Sequence, residues 1–369
     1  MIYCINRVKK ETVAGQRTAG KKAPDDVARI IAENFESIVF PFYESEHKNS
    51  ALSIVYKFLV NKKNWRDLFK SIKKGDVLIV QHPYEGIKQS AKMLRKCSKL
   101  KVKTILFIHD LATLRNSIDV SEPSYMEYLT RKQEISALVT ADFIVCHNKH
   151  MKSYLASVGV DDEKIYCLDV FDYLFNGDSN NTRVLSKDIC VAGNLAANKS
   201  GYIYQLIENN ERFKIHLYGP NYTGPHNRLV NYEGLFSPEE LPSKLEGSFG
   251  LVWDGNSITE CAGIAGNYLR INNPHKCSLY IVANIPIIIW ASAAMAEFVK
   301  KNKIGLCVNS IDEIETTIGN ISDTEYEEMV LNTIKIKKQL KVGYNTSKVI
   351  NMILEEIQTR NLGIERQNL

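Results

Sequence analysis

Short apolar runs alternate with helix-length segments along most of this chain, and that alternation limits what it can fold into more than any other feature. Five such runs occupy the first half; they read "MIYCINRV", "SIVFPFY", "DVLIVQHP", "VKTILFIHD" and "ADFIVCHN". Strands that are apolar along their whole length are typical of parallel sheets, which helices cover on both faces. The first half therefore predicts a Rossmann-like domain.

The pattern breaks once and then restarts. The stretch from Phe175 to Asp188 is rich in Asn, Asp, Ser and Gly and is the best candidate for an interdomain linker. Five further apolar runs follow, with helical stretches between most of them; they read "DICVAGNL", "FKIHLYGPN", "FGLVWDG", "IPIIIW" and "IGLCVN". We predict an α/β protein with two Rossmann-like, doubly wound domains that face a central cleft. The predicted bounds are residues 1–175 and 188–340, followed by a C-terminal helix at 341–369 that can pack back on the first domain.

Composition and charge exclude several classes of protein. The formal net charge of +5 is too small to indicate nucleic-acid binding, although it suits an enzyme of anionic substrates near an anionic membrane. The eight Cys show no metal-ligand spacing, so we expect no structural zinc and a reducing cytoplasm. The sequence shows no signal peptide, and no apolar run approaches the roughly 20 residues that span a bilayer. We expect a cytoplasmic homo-oligomer, in solution or peripheral at the inner face of the cell membrane.

Ligands of open parallel sheets bind beyond the carboxyl ends of the strands, and this rule selects the polar residues to weigh. Three of the eight histidines stand at such ends, which indicates a cleft, although strand ends also collect polar residues that cap loops. The selected residues are His82, His109-Asp110 and His147-Asn148 in the first domain, and Gly193-Asn194, Tyr218 to Asn221 and Trp253 to Gly255 in the second.

The stretch "FIHDLATLR" gives the first domain its best chemical candidate. Asp110 follows a buried-looking strand and can act as a general base toward a hydroxyl, with His109 as the second choice. A helix cap is an equally good interpretation of Asp110. The loop from Ala14 to Asp26 should border the same cleft, with Pro24 near the start of the next helix. There Lys22 can meet an anionic ligand or simply be solvated.

Two turns of the second domain are candidates for nucleotide contacts. In "AGNLAANKS", Gly193 lets the backbone approach a ligand, and helix-start N–H groups can receive phosphate, although a turn with an Asn cap fits equally well. "LYGPNY" can wrap a base, but a plain Gly-Pro turn is the better interpretation. Neither GxGxxG nor a P-loop motif is present, and the missing Gly spacing after the first strand disfavours a dinucleotide-dependent oxidoreductase.

The cluster "NNPHK" stands where a buried helix is predicted to begin. We expect Asn273 as the N-cap, Pro274 at the first helical position, and His275 and Lys276 in the first turn. Cations there cost roughly 0.3–1 kcal/mol, which is easier to understand if a diphosphate binds the same helix end. The alternative is a solvent-facing Lys and a His at the edge of the core. We predict that Lys276 points into the interdomain cleft.

Several stretches together resemble the bacterial β-1,6-galactofuranosyltransferases of O-antigen and capsule synthesis. The likeness runs in order from about Ala19 to Ile318 and is most specific in the long block from Phe249 to Trp290. The chain resembles more distantly the streptococcal glucosyltransferases that extend GlcNAc on serine-rich adhesins, which share the GT-B plan of two Rossmann domains. The remaining stretches are "AGKKAPDD", "FIHDLATLR", "TADFIVCHNKHMKSYL", "VFDYL", "AGNLAANKS" and "LYGPNY".

This resemblance implies a UDP-sugar donor on the second domain, a glycan acceptor on the first, and no metal or other cofactor. Asp110 would be the base of an inverting transfer, with His109 second, while Asp172 would face the cleft or serve as a hinge. We predict Gly20, Lys22, His82 and Arg115 as acceptor-binding residues. The implied donor-binding residues are Gly193, Asn194, Lys199, Tyr218, Gly219, Asn221, Trp253, Asp254, Tyr268, Asn273, His275 and Lys276.

The favoured activity is transfer of galactofuranose to a hydroxyl of a cell-surface glycan, whose acceptor can be lipid-linked. One alternative keeps the chemistry and changes the sugar, giving a UDP-glucose-dependent glucosyltransferase that acts on glycosylated adhesin. The other is a non-catalytic GT-B subunit that binds glycan or a partner enzyme. No nucleic-acid partner is expected.

Overall fold

The first half of the chain forms a six-stranded parallel sheet in the order β2-β1-β3-β4-β5-β6. The computed structural model describes residues 1–8, 19–43, 51–83, 87–116, 125–177, 183–209 and 213–367. The central strands are apolar and buried, as two-sided coverage by helices requires. The elements are β1 (Ile2–Val8), α1 (Ala19–Asn34), β2 (Ser37–Tyr43), α2 (Ala51–Ser71), β3 (Val77–His82), α3 (Ile87–Lys99), β4 (Lys103–Ile108), α4 (Ala112–Asn116), α5 (Tyr125–Thr140), β5 (Phe143–Cys146), α6 (Lys149–Ser157) and β6 (Ile165–Cys167).

The second half forms another six-stranded parallel sheet, in the order β12-β11-β10-β7-β8-β9. This is the strand order of dinucleotide-binding Rossmann domains, in which the order reverses between β7 and β10. The predicted fold class of two doubly wound α/β domains is confirmed. The elements are β7 (Ile189–Ala192), α7 (Ala197–Asn209), β8 (Ile215–Tyr218), β9 (Val230–Gly234), α8 (Leu241–Lys244), β10 (Phe249–Val252), α9 (Gly263–Tyr268), α10 (His275–Val282), β11 (Ile287–Trp290), α11 (Ala296–Asn302), β12 (Gly305–Val308), α12 (Ile314–Gly319), α13 (Asp323–Leu340) and α14 (Tyr344–Gln367).

The last helix, α14, crosses back to the first domain. Its Val349, Ile350 and Ile353 are buried in one cluster with residues of α1 and the first sheet. Asp172 fixes the start of this helix, because its carboxylate accepts hydrogen bonds from the backbone N–H groups of Asn345 and Thr346, at 3.2 and 2.7 Å. A carboxylate at a helix N-terminus also complements the helix dipole. Asp172 therefore anchors the crossing segment and does not face the cleft.

The first helix begins earlier than the sequence predicts. It starts at Ala19, so that Pro24 lies inside it. Lys22 and Asp26 form an ion pair one turn apart within α1, and both side chains are buried. Residues 9–18, which include the beginning of the predicted loop, lie outside the described residues, as does the middle of the predicted linker. Within the described ranges, no helix is both long enough and apolar enough to cross a membrane.

Candidate active site

Two glycines let the loops after β7 and β8 lie against each other at the switch point of the second sheet. Gly193 and Gly219 have φ angles of +143° and +139°, a region that L side chains rarely adopt. A Cβ atom added to Gly219 would lie 1.8 Å from the carbonyl oxygen of Gly193. Gly193 in turn donates its N–H to the carbonyl of Tyr218 at 2.9 Å. Glycine is therefore required at position 219 for the two loops to approach each other this closely.

Lys276 lies over this pair of loops. Its amine donates to the Asp254 carboxylate at 2.9 Å and to the Trp253 carbonyl at 3.1 Å, at the end of β10. Its Cε would be 3.6 Å from a Cβ on Gly193, and its side chain is 20% exposed. The side chain thus points at the switch point and not into bulk solvent, and its contact with a diphosphate in the interdomain cleft stays a prediction. A purely solvated surface Lys is excluded.

Charged groups of the first domain lie across from Lys276. Burial lowers the pKa of the Lys199 amine on α7, with opposing contributions from the nearby Asp254 and Asp110 carboxylates. Asp110 follows β4 and pairs with the Arg115 guanidinium of α4. Acidic and basic groups of both domains therefore lie near one another, where they can interact with a charged ligand.

Asp110 stands in an environment suited to a general base. Burial raises the pKa of its carboxyl, although its ion pair with Arg115, the Lys199 amine and the neighbouring Tyr268 hydroxyl act in the opposite direction. A carboxylate whose pKa is moved toward neutrality transfers protons more effectively than an ordinary one.

His109 is held in place by the first domain. Its Nε2 atom lies 2.7 Å from the amide oxygen of Gln81, and its ring stacks on Phe171 at 5.7 Å between centroids. Burial lowers the pKa of the imidazole well below its ordinary value, with a further contribution from His147. The ring is therefore neutral and weakly basic, which favours Asp110 over His109 as the base.

The helix start at "NNPHK" differs from the prediction by one residue. Helix α10 begins at His275, and Pro274, with extended backbone angles, is its N-cap and makes no side-chain cap bond. Asn273 is therefore not the cap. Its side chain is 4% exposed and is used entirely in joining the two domains.

Asn273 forms the centre of an interdomain clasp with the end of β5. Its amide donates to the carbonyls of His147 and Asp169, at 2.7 and 3.0 Å, and its amide oxygen accepts from Asn148 at 2.6 Å. The Asn273 backbone N–H donates to Nδ1 of His147 at 2.9 Å. Burial lowers the pKa of His147 to about 4, which keeps this nitrogen an acceptor. The polar residues after β5 thus hold the domains together.

His275 belongs to the same joint. Its ring stacks on Tyr173 at 5.1 Å and meets Phe171 edge-on at 6.0 Å, both on the segment that links the domains. Burial lowers its pKa to about 4, so the ring is neutral. The prediction that His275 faces a diphosphate is therefore wrong, and Lys276 alone of this pair reaches the switch point.

Two of the predicted acceptor residues are committed to internal contacts. The buried Lys22 amine donates to the Asp26 carboxylate at 2.5 and 2.7 Å and to the Leu174 carbonyl at 2.8 Å. His82 is fully buried, with Nε2 2.8 Å from the Glu134 carboxylate. Both assignments to acceptor binding are wrong, because neither polar group is free to meet a substrate. Gly20, by contrast, is exposed on α1.

The other predicted residues divide by exposure. The Tyr218 and Trp253 side chains are buried in the core, where the Tyr218 hydroxyl donates to the Lys244 carbonyl at 3.0 Å, so only their backbones border the site. Asn194 and Asn221 are exposed at the rim and join through a side-chain hydrogen bond of 3.0 Å. The Arg115 side chain is half exposed at the cleft.

The strand-end rule did not select two residues that support the candidate site, Gln81 and Glu134. Gln81 orients His109, and its position within an otherwise apolar strand was a visible signal. Glu134 on α5 accepts the backbone N–H groups of Ala112 and Thr113, at 2.8 and 3.0 Å, and so fixes the start of α4 beside Asp110. No local motif marks Glu134, because its partners are brought to it by the fold.

Comparison with known proteins identifies the family to which this chain belongs. The model of the "Glucosyltransferase 3-like, N-terminal domain" matches residues 3–170, and that of the corresponding C-terminal domain matches residues 189–353. The β-1,6-galactofuranosyltransferase WbbI of Escherichia coli K12 is 33% identical over 71% of this chain and 74% of its own length. The chain belongs to the glucosyltransferase 3-like family.

Glucosyltransferase 3 of Streptococcus gordonii is a more distant relative of this glucosyltransferase 3-like protein, 25% identical over 92% of the chain and 94% of its own length. Solved structures share the fold: HepE of Anabaena in complex with UDP has a TM-score of 0.58 at 10% identity, covering 97% of this chain and 99% of its own. The galactosyltransferase WaaB has a TM-score of 0.57 at 13% identity, covering 95% and 99%. The protein is a glycosyltransferase of the GT-B type, as the sequence predicts.

Proposed function

We propose that this glycosyltransferase transfers galactofuranose from UDP-galactofuranose to a hydroxyl of a cell-surface glycan or polysaccharide precursor, with inversion and without a bound metal. The carrying observation is the cleft in which the Lys276 side chain lies over Gly193 while Asp110 stands on the other domain. Galactofuranose is favoured over glucose because WbbI is 33% identical and Glucosyltransferase 3 of S. gordonii is 25% identical.

The donor diphosphate would lie at the switch point of the second sheet. HepE, whose fold is similar, has been solved with UDP and with UDP-glucose, which supports a UDP-sugar here. Lys276, which is paired with Asp254, and the nearby Lys199 are cations beside the loops that Gly193 and Gly219 bring together. Positive charge fixed where the leaving UDP gains negative charge stabilises the transition state.

The acceptor hydroxyl would be activated by Asp110. The carboxylate takes the proton as the acceptor oxygen bonds to the anomeric carbon. The bond from that carbon to the diphosphate oxygen then breaks on the opposite face, and UDP leaves with the electron pair. An α-linked donor thus gives a β-linked product.

A donor screen tests the proposal. Purified protein is incubated with UDP-galactofuranose, UDP-glucose and UDP-galactose, and released UDP and transferred sugar are measured with and without EDTA. The proposal requires preferred release from UDP-galactofuranose that EDTA does not abolish. Preference for UDP-glucose would support the adhesin glucosyltransferase, and release from none would support a non-catalytic GT-B subunit.

The base is tested separately by Asp110→Asn. We expect transfer to be lost while UDP binding, measured by calorimetry, is kept, because the substituted group acts on the acceptor. Asp323→Asn is the control, since it makes the same change at an exposed position of α13. Transfer by Asp110→Asn at the rate of this control would remove Asp110 from the role.

We further propose that this enzyme is cytoplasmic and makes a peripheral contact with an anionic membrane through α2. Val55, Phe58 and Leu59 are 58%, 51% and 54% exposed on this helix, and exposed lysines follow at 62 and 63. Apolar side chains beside cations fit an anionic lipid surface, whereas two copies meeting here would bring like charges together. A lipid-linked acceptor would be reached from this surface.

Vesicle sedimentation tests this contact. Wild-type protein should sediment with phosphatidylglycerol-containing vesicles and stay in solution with pure phosphatidylcholine. The variant carrying Lys62→Glu and Lys63→Glu should lose the difference. Equal behaviour of the two proteins would contradict the contact, and dimerisation of the wild type that is lost on Phe58→Ser would indicate a second copy instead.

A further inference from the structure

We propose that the second domain binds a divalent transition-metal ion such as Zn²⁺ between His216 of β8, Glu233 of β9 and Glu246 in the loop before β10. The ion would have a structural role and take no part in transfer, so this proposal does not depend on the function proposed above. The expectation that the protein has no structural zinc rested on cysteine spacing, whereas this site is built from an imidazole and two carboxylates.

The three side chains are spaced as the ligands of a single ion are. Nδ1 of His216 lies 3.2 Å from Oε1 of Glu233 and 3.8 Å from Oε2 of Glu246, and the three ligand atoms lie within 4.8 Å of one another. Ligands bound at about 2.0–2.2 Å to a tetrahedral Zn²⁺ are about 3.3–3.6 Å apart. A small rotation of the Glu246 side chain, which is 68% exposed, is enough to close the set.

One hydrogen bond does not satisfy this arrangement. Both carboxylates approach the same imidazole nitrogen, which carries at most one proton, so a proton donated to Glu233 cannot serve Glu246 equally well. Two carboxylates held this close also repel each other. A divalent ion on the nitrogen lone pair would accept all three ligands and remove the repulsion. An imidazole among the ligands favours Zn²⁺ over Mg²⁺, which prefers oxygen ligands and water.

The other nitrogen of the ring also faces a carboxylate. Nε2 of His216 lies 3.9 Å from Oδ2 of Asp188, and an approach of about 1 Å would bring the two atoms to hydrogen-bond distance. A histidine that binds a metal almost always donates its second N–H to a carboxylate, a carbonyl or water, which fixes the ring and makes the ligating nitrogen more basic. The His216 side chain is only 5% exposed, so the fold sets its orientation. The Asp188 contact is separate from the three ligands and favours Nδ1 as the metal-binding atom.

A β-bulge lies at the residue that supplies the second ligand. Tyr232 pairs with Leu217 of β8. The next pair joins Gly234 to Tyr218, so Glu233 is an extra residue of β9 between two register positions. Bulges commonly redirect a side chain beside a functional site. The irregularity of β9 is therefore consistent with a ligand role for Glu233.

The cluster belongs to a different part of the sheet from the cleft. Asp188 and Glu246 come before β7 and β10, whereas the loops that border the cleft follow their strands. The backbone N–H of Glu246 donates to the Tyr218 hydroxyl at 2.9 Å, which already ties this loop to β8. A bound ion would add a second link between the loop, β8 and β9. It would therefore stabilise the second domain without entering the reaction.

Calorimetric titration with Zn²⁺ tests the site, on protein that has been treated with EDTA and then dialysed. The wild type should bind Zn²⁺, and at a free concentration about 100 times Kd its thermal midpoint should rise by about 3 °C. Mg²⁺ should give neither effect. Both effects should be lost in His216→Gln and in Glu246→Gln, and the second variant changes an exposed side chain that folding does not need. The matched control is His226→Gln, which removes an exposed histidine between β8 and β9 and should bind as the wild type does.

Three results would overturn the proposal. The first is a wild-type protein that binds no Zn²⁺. The second is equal binding by His216→Gln, Glu246→Gln and His226→Gln, which would show adventitious binding at other groups, such as the thiols. The third is an equal response to Mg²⁺, which would show a plain carboxylate site. A wild-type protein that turns over no donor would overturn the proposed function alone, because the titration does not depend on transfer.

Discussion

Replacing Asn273 by alanine should weaken the joint between the two domains more than any other single change at the clasp. The substitution removes three side-chain hydrogen bonds, to His147, Asp169 and Asn148, from a residue that is 4% exposed. The Asn148 amide keeps its bond to the Ile271 carbonyl, and the His147 carbonyl keeps the N–H of Asp169. The cost is therefore that of three lost bonds, with few groups left wholly unpaired.

The size of the effect follows from these contacts. At about 1 kcal/mol for each net hydrogen bond, the free energy of unfolding should fall by about 3 kcal/mol. The unfolding entropy is about 2.1 cal/mol/K per residue, or roughly 0.8 kcal/mol/K for all 369 residues unfolding together. The thermal midpoint should therefore fall by about 4 °C.

Differential scanning calorimetry measures this change, and the next residue supplies a matched control. Asn272 is partly buried, and its side-chain oxygen has no hydrogen-bond partner among the described residues, so Asn272→Ala should leave the midpoint nearly unchanged. Asn273→Ala should also lower kcat, because the domains that carry base and donor site are less firmly joined. A midpoint within about 1 °C of the Asn272→Ala protein would refute the reasoning.

Three further predictions concern the donor site and the joint. Gly219→Ala should abolish UDP binding, because the new Cβ would lie 1.8 Å from the Gly193 carbonyl, whereas Gly319→Ala, with open space around it, should bind normally in the same titration. Lys276→Met should weaken UDP binding by about tenfold or more in calorimetry, because a charge-assisted contact with the diphosphate is lost, and wild-type affinity would contradict its role. Burial holds the pKa of His275 at about 4 in the folded protein against its ordinary 6.5, so the unfolded chain binds more protons between these values. Stability should be full above pH 6.5 and fall as the pH approaches 4, and a midpoint that does not move across that window would refute this.

The alternation of apolar runs was enough to predict the architecture, because a strand that is buried on both faces is apolar along its whole length. The strand-end rule also selected Gly193, Asp254 and Asp110 correctly as residues that follow strands. Lys276 was predictable for a different reason: a cation in the first turn of a helix is unfavourable unless something anionic is near. In the structure, the anionic groups near Lys276 include the Asp254 carboxylate, a partner that the sequence alone did not predict.

What the sequence could not supply was the partner of each polar group. In the sequence, Lys22 and His82 look like residues that bind a substrate. In the folded chain their polar atoms contact Asp26 and Glu134 instead, so they are not available to a ligand. The strand-end rule selects any polar group at the sheet edge that faces the cleft, and in a two-domain protein that edge also faces the other domain. His147 and Asn148 satisfy the rule by binding Asn273, a residue more than a hundred positions away. Sequence therefore predicts where polar chemistry gathers in such a protein, while the division between substrate contacts and domain contacts depends on how the two sheets are set against each other.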